Sequence, residues 1–105
     1  MDPMSWAVAY NERLSVIHYF KSNMAAFQQI ADAATDPDVK ARYVQAVQQM
    51  KRDGPIVESQ MREYAGRAGV DDADFGHTVD PTQYAGYNKQ GKGVRFPYVN
   101  LFASA

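Results

Sequence analysis

The sequence contains no cysteine, so disulfides, thiolate metal sites and cysteine nucleophiles are excluded. Histidine is scarce: His18 and His77 are the only two, and neither stands in an E-x-x-H or H-E-x-x-H arrangement. A helix-bundle di-iron site needs inward carboxylates together with such pairs, which leaves that chemistry without a ligand set. Charge of one sign is also missing. The net charge of -1 exerts no general pull toward nucleic acid or acidic membranes. No apolar run approaches the length that spans a bilayer. The stretch MDPMSWAVAYNER lacks the basic segment and long apolar core of a secretion signal, so a cytoplasmic location is the expectation.

What the chain does have is heptad spacing. From Tyr43 to Ala68, Tyr43, Met50, Val57 and Tyr64 recur every seven residues, and Val47, Gly54, Met61 and Ala68 form a companion series. These are the a and d positions of a helix whose seam faces another helix. Gly54-Pro55 interrupts the stretch, and a proline inside a helix removes a donor and clashes with the carbonyl four residues back. A chain that broke there would have no reason to resume in the same register. The spacing therefore predicts one helix, about 37–68, kinked at Pro55.

Three Asp-Pro pairs, at Asp2-Pro3, Asp36-Pro37 and Asp80-Pro81, read as helix starts. Aspartate at the N-cap accepts from an orphan amide, and proline is pre-set for the first helical position. After the third pair, Gln83 falls where a capping-box partner would reach back. The first pair opens a helix over about 3–34 with seams Tyr10, Ile17, Met24, Ala31 and Trp6, Phe20, Phe27, Ala34, Arg13 being the one charged entry. Val8, Val16, Tyr19 and Ile30 lie outside that seam and widen the apolar face, as helices that meet more than one neighbour do.

Thr35-Asp36 is too short for anything but an antiparallel return. Two helices of about 30 residues, roughly 45 Å each, then pair. Folding about residue 35 sets Phe27 near Tyr43, Met24 near Val47, Phe20 near Met50 and Ile17 near Gly54, with Trp6 and Tyr10 beside Met61 and Tyr64. A lone hairpin leaves one side of its apolar stripe in water and needs a third element or another copy of itself.

The composition changes after residue 68. Six of the seven glycines lie between Gly66 and Gly93, and Gly69 suits a helix C-cap. Residues 69–105 read as an acidic, turn-rich linker, a short helix near 81–88, and an extended arm, VRFPYVNLFASA, that Pro97 keeps from any central strand. Six aromatics here, Phe75, Tyr84, Tyr87, Phe96, Tyr98 and Phe102, are too many for a solvated linker. The tail is expected to dock on its own hairpin or on a neighbour.

Reactive motifs are weak. Gly91-Lys92-Gly93 is too short for a phosphate loop. Asp72, Asp74, Thr78 and Asp80 have faint calcium-loop spacing, but Gln83 stands where the closing acid belongs, so an acidic turn beside the basic face of the second helix is the preferred reading. The cations of that helix (Lys40, Arg42, Lys51, Arg52, Arg62, Arg67) alternate with Asp53, Glu58 and Glu63 and lack an aromatic stacking platform, which argues against nucleic acid. An apolar seam opposite a charged face argues against a membrane-surface helix.

The stretch Phe20 to Met50 resembles small sporulation-associated helical proteins and the spore coat protein F-like group of endospore-forming bacteria. The matching residues are Lys21, Ala26, Gln29, the turn Asp36-Pro37-Asp38-Val39-Lys40, Tyr43, Gln45, Ala46, Gln48 and Gln49. The resemblance covers about half of the chain and implies a non-enzymatic structural or spore-associated protein.

The expectation is an all-α protein: a long antiparallel two-helix hairpin with an aromatic C-terminal arm, completing a bundle by self-association. It is read as a structural, self-assembling protein without cofactor or metal; the alternative is an accessory or adaptor subunit binding another protein through residues 82–105. Trp6, Tyr10, Tyr84, Tyr87, Phe96, Tyr98, Leu101 and Phe102 are the candidate contacts for self-association or arm docking.

Overall fold

A computed structural model describes residues 2–84 of the chain. Helix α1 spans Pro3–Ala33 and helix α2 spans Pro37–Ala68; a single 3-10 turn, Pro81–Tyr84, follows. Among the described residues there is no strand.

Each boundary has a local cause. The Asp2 side chain accepts from the Ser5 amide at 2.8 Å with Pro3 in the first turn, which opens α1. The helix stops at Ala33, with Ala34 already extended as its cap. Asp36 then accepts from the Asp38 amide at 2.8 Å and α2 begins at Pro37. Gly69 closes α2 in the left-handed region, at φ 80° and ψ 31°, where a side chain would clash. Its N–H reaches the Gly66 carbonyl at 3.2 Å, and the Val70 N–H reaches Ala65 at 2.9 Å. That is the Schellman arrangement, and Val70 and Ala65 join the same buried cluster, as its hydrophobic contact requires.

Helix α2 runs unbroken through Pro55. The register holds on both sides of it. Phe27 meets Tyr43 edge-on at 5.2 Å between centroids, and Trp6 meets Tyr64 at 5.3 Å. Both pairs follow from folding the chain about one point, so the helices keep a single antiparallel register from the turn to the open end.

The main core lies at the open end, where the two chain segments leave the hairpin. Ala7, Tyr10, Leu14 and Ile17 of α1 pack with Met61, Ala65 and Ala68 of α2, and Val70 and Tyr84 complete the cluster. Full burial of a side chain such as Leu14, Ile17 or Met61 contributes about 1.5–3 kcal/mol. Residues 70–84 thus form the third element that a bare hairpin lacks.

Candidate functional site

The docked segment is held by polar contacts as specific as its apolar ones. After the Gly69 cap the chain turns, with the Asp74 and Phe75 amides donating to the Asp71 carbonyl and the His77 amide to Asp74. Gly76 sits at φ 92°, a second position where a side chain is disfavoured. There the backbone passes over the Tyr10 hydroxyl. The Tyr10 oxygen accepts from the Gly76 amide at 2.9 Å and donates to the His77 carbonyl at 2.7 Å, with the Asp74 carbonyl farther off at 3.4 Å.

One residue along, Asn11 clips the next piece of the segment. Its Nδ2 donates to the Val79 carbonyl at 2.8 Å and its Oδ1 accepts from the Val79 amide at 3.0 Å. A strand neighbour would satisfy Val79 in the same way; here a side-chain amide does. Asp80 then accepts from the Thr82 amide and hydroxyl at 3.0 and 2.7 Å and starts the 3-10 turn. The expected Gln83 capping box takes another form, in which the Gln83 amide donates to the Asp80 carbonyl at 3.2 Å.

Burial pushes the Tyr10 phenol above its ordinary pKa, although the Gly76 amide pulls the other way by favouring the phenolate. The phenol ties the segment 74–77 to α1. Asp80 is held below the usual carboxylate range, chiefly by the Thr82 hydroxyl and then by the Thr82 amide.

On the α2 side Glu58 is buried and meets Arg62 at 3.5 Å, and the Arg62 guanidinium lies over the Phe75 ring at 5.1 Å. Arg67 lies 5.0 Å over the Trp6 ring while pairing with Glu63 at 3.0 Å. The acidic loop thus contacts the basic face of α2 through an aromatic ring under a guanidinium.

Of the candidate contact residues, Trp6 is half-buried on Tyr64, and Tyr10 and Tyr84 lie inside the open-end core. Tyr10 and Tyr84 hold this chain's own segment there; fully buried, Tyr10 offers no surface to a second copy. Tyr87, Phe96, Tyr98, Leu101 and Phe102, and the part of the expected 81–88 helix past Tyr84, lie outside the described residues. Asp72, Asp74 and Asp80 do not converge: among the described residues no three His, Asp or Glu side chains are grouped to hold a metal ion. No helix of the described residues is long and apolar enough to cross a membrane.

Sequence reasoning missed Asn11, Glu58, Leu14 and Ala65. Glu58 and Ala65 are seven residues apart, one step to the side of the Gly54, Met61, Ala68 series, so a widened seam was their available signal.

The turn end is different. Between Ile17 and Ala31 no residue of α1 is buried, and Phe20, Met24, Phe27, Tyr43 and Val44 are half-covered. A shallow groove there is lined by Phe27, Val39, Arg42, Tyr43 and Ala46. The described residues form an antiparallel α-hairpin, closed at its open end by its own loop and only half-covered, among the described residues, at its turn. The chain matches no known family model, no curated protein and no solved structure at a significant level.

Proposed function

We propose that the protein is a non-enzymatic structural or interaction protein that assembles with itself, two hairpins joining into a four-helix bundle. The observation that carries this reading is the contrast along the hairpin. Aromatic and aliphatic side chains around the turn are only half-covered, while Tyr19 and Ile30 are 65 % and 41 % exposed. Apolar surface of that kind is favourable to bury, and a second hairpin is the partner that a two-helix unit ordinarily takes.

In this reading α2 bends at Pro55, where the ladder lacks a donor. The aromatic arm beyond Tyr84 adds contacts to the assembly, and the likeness of residues 20–50 to spore coat protein F-like sequences makes a spore or coat its setting. Sedimentation velocity at micromolar concentration tests the reading. A concentration-dependent dimer or larger species is expected, and deletion of residues 85–105, which leaves Tyr84 in place, should lower the oligomer size or the melting temperature. A monomer at all concentrations, unchanged by that deletion, would remove the basis for self-assembly. Co-purification of one distinct protein in fixed ratio with a monomeric chain would favour an adaptor role instead.

A further inference from the structure

The outer flank of α1 carries a second heptad stripe. Val16, Tyr19, Asn23, Ala26 and Ile30 follow one another at intervals of three, four, three and four residues. This is the spacing of a seam, and it is distinct from the α2-facing set Tyr10, Ile17, Ala31. Tyr19, Ala26 and Ile30 are exposed, and Val16 and Asn23 are half-buried. The docked segment grips α1 lower down, at Tyr10 and Asn11.

Charge is absent where a solvated helix face would carry it. From Leu14 to Ala31 the only formal charge is Lys21, and no charged residue lies between Lys21 and Asp32, in a chain of which 22 % is charged. A flank without charge presents nothing that would repel an identical flank.

We infer that this stripe is the contact between two copies of the chain, packed α1 against α1 in parallel with Asn23 opposite Asn23; the inference rests on the self-assembly reading above. The residue types point to that occupant. Val16, Asn23 and Ile30 occupy one heptad position. The companion position holds Tyr19 and Ala26, and the single asparagine among branched residues is the element that sets the register of two identical helices. The Asn23 amide donates one hydrogen to the Tyr19 carbonyl at 3.0 Å. In the dimer its second hydrogen and its Oδ1 exchange with the Asn23 of the other copy. Ala26 meeting Ala26 lets the helices approach closely, and Glu12, one heptad before Tyr19, ends the stripe by like-charge repulsion. Such a contact is isologous and closes as a dimer.

The chain's lack of cysteine makes the test direct. In the full-length protein, Asn23→Cys and, separately, Val16→Cys should each form an inter-chain disulfide under mild oxidation, the second because only a parallel pair sets residue 16 opposite residue 16, whereas Ser59→Cys, exposed on α2, should not. Ile30→Glu should weaken dimerisation about a hundredfold while leaving the far-UV circular dichroism of the monomer unchanged. A wild-type dimer that survives Ile30→Glu and does not cross-link through residue 23 would overturn the stripe and leave self-assembly standing. Loss of the dimer in Ile30→Glu without cross-linking at residue 16 would overturn the parallel register. A monomeric wild type would overturn both. A monomer that loosens or releases residues 85–105 in Ile30→Glu, read by limited proteolysis, would assign the stripe to the chain's own arm.

Discussion

The two ends of the hairpin are built from the same two helices and differ in everything else. At the open end buried residues of α2 recur at every turn, as Gly54, Glu58, Met61, Ala65 and Ala68; toward the turn only Val47 and Met50 are buried. Helix α1 repeats the pattern, with Ala7, Tyr10, Leu14 and Ile17 buried and then nothing until Ala31. Two helices in contact can cover only a narrow strip of each other. The segment 70–84 widens that strip at one end, and nothing among the described residues widens it at the other. Stability should therefore concentrate at the open end, and adhesion at the turn.

The sharpest way to break this comparison is a buried charge placed at each end. Met61→Asp puts a carboxylate where the side chain is fully buried in the main cluster, and it should cost more than about 4 kcal/mol. Met50→Asp, at a position 9 % exposed and outside that cluster, should also be severe but measurably less so. Urea unfolding followed by circular dichroism gives both values, and equal losses would mean that the chain is held uniformly along its length. The same contrast applies to cavities. Leu14→Ala should cost about 2–5 kcal/mol. Phe27→Ala removes a half-covered ring and should cost roughly half as much, since only part of its area is lost from burial.

What was legible in the residues follows the same division. The Asp-Pro starts, the Gly69 cap and the phase kept through Pro55 are local or periodic signals. They placed the helix ends within a residue and the Phe27–Tyr43 and Trp6–Tyr64 pairs correctly. The open-end site was not legible in that way. Leu14 and Ala65 lie to one side of the seam series, and which side of a seam is widened depends on where a third element lands. The hydroxyl of Tyr10 bonds to residues more than sixty positions away. No periodicity encodes such a bond; the one available hint was a polar Asn11 beside a seam tyrosine.

The Tyr10 tie itself sharpens the comparison at intermediate size. Tyr10→Phe leaves the Gly76 amide and the His77 carbonyl without their partner, which should cost about 1–3 kcal/mol. Hydrogen exchange should rise over residues 74–79 and stay unchanged near the turn. The wild type carries a pH signature of the same bond. Because the folded phenol titrates above its ordinary value of about 10, the unfolded chain loses its proton first as pH rises. This contribution to stability is complete below about pH 10 and falls above it. Tyr10→Phe should flatten that part of the alkaline decline.

The smallest effect expected is at the far edge of the docked segment. Asp80 is held below the usual carboxylate range by Thr82, so the folded state prefers the ionised form. Its contribution is present above the ordinary carboxylate pKa of about 4 and is lost as the pH falls through the lower folded value. The side chain is exposed, so the loss should register locally, as faster exchange of the Thr82 and Gln83 amides on going from neutral to acid pH. Asp80→Asn should remove most of that pH dependence while leaving α1 and α2 protected. If acid instead loosened the turn end first, residues 80–84 would not be the weakest part of the closure, and the open end would owe its order to the Tyr10 and Asn11 clasps alone.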